Sequence, residues 1–293
     1  MTTGTRTLVS PAALARPRGK AVYWTVFATV VLLFTLAFLF PVYWMVTGAL
    51  KSPDEVTRTP PTLLPEHWHL AGYTDAWNLM QLPQHLVNTV VQAAGAWAFQ
   101  LVFCTAAAYS LSRLQPAFGK AVLGGILATL MVPAQALVVP KYLTVADLPL
   151  LHTSLLNDPL AVWLPAAANA FNLYLLKRFF DQLPRDVLEA AAIDGAGPLR
   201  ILRSVVLPMC RPVLGVVSIF ALVAVWQDFL WPLMVFSDTG RQPISVALVQ
   251  LSQNTQLTVL IAAMVIASIP MVALFLVFQR HIIAGISAGS TKG

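Results

Sequence analysis

Apolar residues in this chain fall into six long blocks, and almost every charge lies between them. Residues 21–50, 86–112, 121–140, 159–176 and 242–279 contain no charge, and 212–236 contains one, Asp228. A helix needs about 20 apolar residues to cross a hydrocarbon core of about 30 Å. A helix also satisfies its own backbone hydrogen bonds, which hydrocarbon demands. The pattern therefore predicts an all-α membrane protein of six transmembrane helices. They are expected at about 21–49, 86–112, 120–140, 158–177, 210–236 and 257–280. Residues 1–20 form a tail before a transmembrane domain of 21–293. The first block exceeds the 7–15 residues of a secretory signal core, so it reads as a retained helix.

Composition removes the soluble alternative. The chain has 293 residues, 58% hydrophobic and only 10% charged. Soluble domains carry about 25% charged residues, and a domain this size could not cover so apolar a chain with so few.

The net charge of +6 has a topological cause. With the N-terminus inside and six crossings, Lys51, Arg58, Lys141 and Arg241 fall outside, and the other fourteen of the 18 lysines and arginines inside. Such a bias orients helices with both termini in the cytoplasm. The basic residues form no patch with interleaved aromatics, so nucleic acid is not an expected partner. Cys104 and Cys210 read as small core residues rather than a disulfide or metal pair.

Two loops stand out. The external segment of about 51–84 holds Pro60, Pro61, Pro65, four acidic residues, Trp68 and Trp77. It reads either as an irregular connector or as a docking surface for an external partner. The cytoplasmic loop of 178–209 is the longest inside segment. Pro184 suits a helix start, and 185–194 is alanine-rich with good helix propensity. Gly195 and Gly197 end that helix. Pro198 begins a second, and Leu207-Pro208 hands the chain to the fifth crossing. Two short helices and a glycine turn make a knob.

The knob resembles the EAA loop of ATP-binding-cassette importer permeases. That pattern is Glu-Ala-Ala, three residues, Gly, nine residues, Ile-x-Leu-Pro. Here it is Glu189-Ala190-Ala191, three residues, Gly195, nine residues, then Val205-Val206-Leu207-Pro208, with Val205 for Ile. Glu189 through Ala196, with Asp194, is similar to the carbohydrate-transporting branch. Trp226-Gln-Asp-Phe-Leu-Trp-Pro-Leu233 resembles the Trp-Asn-Asp-Phe-Leu-Trp-Pro-Leu run of maltose-permease-type subunits. The tail at 285–293 resembles their Gly-Leu-Thr-Ala-Gly-Ala-Val-Lys-Gly ending, except at Ser290 and Thr291.

The resemblance implies a type I importer permease fold in the bacterial inner membrane. It also implies three kinds of partner besides lipid: a second homologous permease, two ATPase subunits and an extracellular solute-binding protein. ATP and magnesium would sit on the ATPase, with no cofactor on this chain. Glu189, Ala190, Ala191, Asp194, Gly195, Ala196, Leu207 and Pro208 would couple to the ATPase. The alanines would allow close backbone approach, and Glu189 charge-assisted hydrogen bonds.

Asp228 is the one carboxylate inside a membrane block, and such residues are functional candidates by default. Structural anchoring, a gate role and solute contact all remain open for it, for Trp226 beside it and for Asn172. The chain has no G-x-x-x-x-G-K-[ST] or H-E-x-x-H signature and no histidine spacing suited to a metal. It is expected to be a transport subunit rather than an enzyme. The rival reading is a stand-alone secondary transporter, which needs coupling-ion sites near mid-membrane.

Overall fold

The computed structural model describes the backbone of residues 16–290 and the side chains up to residue 279. Residues 1–15 and the side chains of the 285–293 resemblance lie outside that description. Every regular element among the described residues is helical.

α1 (Pro17–Gly48) is 32 residues long, with Pro17 at its first turn. None of its apolar window is buried by this chain. Its last turn meets the beginning of the final helix, where a Cβ on Gly48 would touch Ile261 at 3.6 Å. α2 (Pro53–Thr57) and α3 (Ala71–Leu79) follow. α4 (Leu82–Tyr109) extends through a π turn to Leu114, where Gln115 closes it at φ 46°. Then come α5 (Gly119–Thr129), α6 (Val138–Ala146), α7 (Leu160–Ala167) and α8 (Ala170–Asp181). The loop helices are α9 (Arg185–Ile193), α10 (Pro198–Ile201) and α11 (Leu207–Met209). α12 (Arg211–Gln227), α13 (Leu230–Val235), α14 (Ile244–Ser252) and α15 (Leu257–Ser290) complete the chain.

Among the described residues, three helices are long and apolar enough to cross a membrane: Pro17–Gly48, Leu82–Leu114 and Leu257–Gln279. Two bent pairs raise the number to five. Gly119–Thr129 and Ala134–Ala146 meet at 104°, and Pro198–Met209 and Arg211–Gln227 at 84°. Thus the helix expected over 120–140 is broken before Pro133, and the chain turns sharply. Lys141, counted above as an external-loop charge, sits inside α6. The fourth expected crossing, 158–177, is divided between α7 and α8, with the break at Ala168 and Asn169. The helix expected over 210–236 likewise stops at Gln227 and resumes at Leu230.

Proline accounts for much of this, and side chains repair the damage. Pro165 inside α7 has no N–H for the carbonyl of Ala161 four residues back. The indole of Trp231 donates to that carbonyl instead, at 3.0 Å. Pro232 leaves the carbonyl of Asp228 free in the same way, and the Ser245 hydroxyl donates to it at 2.8 Å. At the α7–α8 break the Cys104 thiol donates to the Ala167 carbonyl at 3.3 Å. Breaks in membrane helices persist where neighbours satisfy the freed groups in this way.

α4 is the central helix, and its buried face runs through His85, Thr89, Gln92, Ala96, Gln100 and Cys104. Its outward face carries Val87, Val90, Val91, Val102 and Phe103. Small and polar residues inside with branched apolar residues outside is the membrane pattern, because lipid takes the greasy face. Gly95 lets α7 come very close. A Cβ there would lie 2.0 Å from the Trp163 ring.

At the end of the molecule where α4 begins, polar groups on α4 reach the linker before α14. Asn88 donates to the carbonyls of Gly240 and Gln242 at 2.8 and 3.0 Å, and Gln84 to Gly240 at 2.8 Å. His85 Nδ1 lies 2.9 Å from the Gln242 carbonyl, and Gln92 donates to Arg241 at 3.2 Å. The Thr89 hydroxyl accepts from Ile244 N at 2.8 Å.

The loop after α1 is ordered by buried charge. Lys51 and Glu55 are both buried; Lys51 Nζ donates to the Thr62 carbonyl and the Thr62 hydroxyl to Glu55 at 2.5 Å. That hydroxyl, aided by Glu66 N–H, Lys51 and Arg58, holds the Glu55 carboxyl below its usual range against the effect of burial.

Candidate functional site

The knob forms at the opposite end, where α4 finishes. α9 starts at Arg185 as expected, with Pro184 (φ −57°, ψ 130°) as its N-cap, and ends at Ile193, one residue earlier than expected. The helix closes in a Schellman turn. Ala196 N donates to the Ala191 carbonyl and Gly195 N to Ala192, each at 3.0 Å. Gly195 has φ +81°, a conformation that a Cβ makes costly. No atom lies within 4 Å of a Cβ added there, so dihedral angle alone demands the glycine. Gly197 is different. At φ −68° it is the extended N-cap of α10 rather than part of the stop.

From Pro198 the chain stays helical to Met209, passing through a π turn at Leu202–Val206 before Leu207 and Pro208. It then bends 84° into α12. The 3-and-9 spacing thus separates the helix face, the αL turn and the corner.

α9 has no buried residue. Glu189, Ala190, Asp194 and Gly195 are exposed, Ala191 and Ala196 half-buried. Leu207 is half-buried and Pro208 exposed, both at the corner. The apolar side chains Ile193 and Leu199 are 87% and 66% exposed. The outward face of the knob therefore offers acid groups and apolar contacts together.

Its root is fixed. The Arg113 guanidinium, on the π turn ending α4, donates to the carbonyls of Phe180 and Leu183, the latter at 3.0 Å. The Ser112 hydroxyl donates to Asp181 at 2.7 Å and Lys177 to the other oxygen at 2.8 Å. Burial raises the Asp181 pKa, but the hydrogen bonds from Lys177 and Ser112 and the Lys177 and Arg113 charges more than offset it. Its carboxyl is held below the usual range. Beneath, an apolar cluster joins Ala108 and Tyr109 of α4, Leu176 and Phe180 of α8, Val206, and Val213 of α12. A cleft of about 380 Å³ separates α9 from the end of α4, with Arg113, Gln115, Arg185 and Glu189 on its walls.

The remaining candidates lie elsewhere. Asp228 sits at the break between α12 and α13, where its carboxylate accepts from Trp231 N at 3.3 Å. It borders a second cavity of about 230 Å³ whose wall includes neither Trp226 nor Asn172. Asn172 is 2% exposed inside α8. The structure therefore brings the knob residues together, whereas of the three path candidates only Asp228 borders that cavity.

Sequence reasoning missed the root and the α4 network. Arg113 was one positive charge among fourteen, and its acceptors are backbone carbonyls. The α4 stripe did leave a trace: polar residues at 85, 88, 89 and 92 recur at helical spacing within an uncharged block.

Residues 100–288 match the family model for the binding-protein-dependent transport system inner membrane component. The chain belongs to this family. It is accordingly a multi-pass inner-membrane permease of the ABC importer class and not an enzyme. Curated relatives agree along most of its length. The sulfoquinovosyl glycerol transport system permease protein SmoH of Agrobacterium fabrum is 31% identical over 259 residues, 87% of this chain and 89% of that protein. The diacetylchitobiose uptake system permease protein NgcG of Streptomyces coelicolor is 29% identical, covering 89% and 86%. Among solved structures, a bacterial ABC transporter for the acidic polysaccharide alginate superposes with TM-score 0.79 at 23% identity, over 90% of this permease and 98% of that chain.

Proposed function

We propose that this permease is half of the translocation path of an ATP-driven importer for a sugar or oligosaccharide, and that its 189–208 knob receives the ATPase stroke. The knob carries the reading: a helix with open acid and apolar groups stands outside the fold, yet its root is bonded to α4 and α8. A load applied at Glu189 reaches the core through Arg113 and Asp181 rather than being lost in a floppy loop. Relatives named for diacetylchitobiose and for melibiose, raffinose and stachyose support a saccharide cargo. A solved alginate transporter of this fold is in complex with a periplasmic protein bound to an alginate pentasaccharide, which supports delivery by a solute-binding protein. A second permease, two ATPase subunits holding ATP and magnesium, and that binding protein complete the machine, with six crossings and both termini in the cytoplasm.

The test is purification of the tagged permease from its native host, with uptake measured alongside. An ATPase should co-purify, and Glu189→Ala should abolish ATP-driven uptake while leaving the protein in the membrane. Full uptake by that variant would end the coupling role. Uptake that collapses when ion gradients are dissipated with ATP present would favour the secondary transporter instead.

A further inference from the structure

α1 carries a ruler for membrane depth. Val22-Tyr23-Trp24 near its start recurs as Val42-Tyr43-Trp44 near its end. Twenty residues at about 1.5 Å each set the two pairs of aromatics about 30 Å apart, the thickness of a hydrocarbon core. Tyrosine and tryptophan collect at the two membrane–water interfaces, where an apolar ring and a polar tip are both satisfied. Tyr23 and Trp24 therefore mark one interface, and Tyr43 and Trp44 the other.

The chain passes that second level, leaves α1 at Gly48 and then returns to it. The Tyr43 hydroxyl donates to the Leu63 carbonyl at 2.6 Å, a point about 7.5 Å back from the end of the helix. His69 N donates to the Leu50 carbonyl at 2.9 Å. The segment between these two ties is stiffened by the buried charges described above. Lys51 Nζ donates to the Thr62 carbonyl, and Glu55 accepts from the Thr62 hydroxyl at 2.5 Å and from Glu66 N at 3.1 Å. Lys51 also stands 4.7 Å from the Trp44 ring centroid. A loop so fastened cannot fold its apolar side chains inward, and it does not. Leu63 and Leu64 are each 63% exposed, Leu70 65% and Trp68 71%. Exposed apolar clusters of this kind mark contact with a protein or a membrane.

Three features select the membrane. Leu63 is bonded at the level of the aromatic belt. Its neighbours Phe40, Val42 and Tyr43 on α1 are exposed too, so the patch continues the lipid-facing surface of a membrane-crossing helix. The segment is also neutral: Arg58 and Glu66, the only lysine, arginine or acid residues from 58 to 70, pair at 2.7 Å.

We infer that residues 63–70 are an interfacial foot whose occupant is phospholipid, with Leu63 and Leu64 entering the acyl-chain region and Trp68 resting among the headgroups. On the orientation proposed above this is the outer leaflet. The foot has a task, because α1 gains no burial from its own chain before Thr47. The body of the permease therefore does not set the height of α1 in the bilayer. A rigid foot at its far end does, and a neutral one does so on zwitterionic lipid.

Spin labels test this in the permease purified with its native subunits and reconstituted in phosphatidylcholine vesicles. Leu63→Cys and Leu64→Cys are labelled, with exposed Asp54 giving the water-facing control Asp54→Cys. Cys104 and Cys210 are buried, and the wild-type protein carried through the same labelling supplies the background. Oxygen concentrates among acyl chains, and a water-soluble nickel chelate is excluded from them. The oxygen-to-nickel accessibility ratio should be about tenfold higher at 63 and 64 than at 54. Nickel access at 63 and 64 equal to that at 54 means a loop in water and overturns the inference. An immobilised label shielded from both reagents also overturns it, and assigns the patch to the second permease or the solute-binding protein. Trp68 gives a second reading without a label. The tryptophan emission lost to bromine-labelled lipid should shrink in Trp68→Phe, and an unchanged loss removes Trp68 from the bilayer and overturns the foot.

Discussion

The two ends of this permease solve opposite problems. Where α4 begins, its polar side chains are spent inside the molecule: Gln84, His85, Asn88 and Gln92 all meet backbone carbonyls between Gly240 and Gln242. Where α4 ends, the helix that projects keeps its acids open. Glu189 and Asp194 have no side-chain partner among the described residues, and Ile193 lies bare. One end is closed on itself, and the other leaves its acid and apolar groups open. Stability should therefore reside in the body and function in the knob, and substitutions can separate the two.

The largest loss of stability is expected from Gly95→Val at the α4–α7 contact. The Trp163 ring already occupies the space of the new side chain, and overpacking of this kind costs about 3 kcal/mol or more. Thermal unfolding of the solubilised protein should show a much lowered midpoint; an unchanged midpoint would mean the two helices are free to separate. Next comes Arg113→Met, which strips the Phe180 and Leu183 carbonyls of a charged donor. A cost of about 2–3 kcal/mol is expected, with faster hydrogen exchange confined to the knob and its root.

Gly195→Ala should cost only about 1 kcal/mol, for a Cβ at positive φ. Its uptake should nevertheless fall at least as far as that of Gly95→Val, because the turn that aims α9 is misdirected. Equal loss of stability in the two glycine variants would erase the contrast between body and knob. The smallest effect is acid loosening of the root. The Asp181 carboxyl is held below its usual range, so its contribution is present at neutral pH and declines as pH falls through and below that range. Unfolding midpoints measured down the acid limb should converge for wild type and Asp181→Asn.

Legibility in the sequence follows from what each feature depends on. The knob was readable because its chemistry is local. Glycine at a fixed distance from an alanine helix marks the αL turn, and Leu207-Pro208 marks the corner, with no knowledge of the rest of the fold. The apolar blocks were readable for the same reason. The 104° bend within 120–140 was not readable, because it depends on what α6 packs against. Lys141 looked like an external charge because its partner is the face of Trp231, ninety positions away. Arg113, Asn88 and Gln92 donate to main-chain oxygens, and every residue has one of those. No residue type at the other end could have revealed the pairing.

The two π turns, at Ser110–Leu114 and Leu202–Val206, stand on either side of the knob's root. A π turn closes a ring one residue larger than an α turn, so it stores one residue of slack. Drawing that residue into regular helix rotates everything beyond it by about 100° and advances it about 1.5 Å. Under the coupling role proposed above, the play at the knob's root would come in whole-residue steps rather than as elastic give.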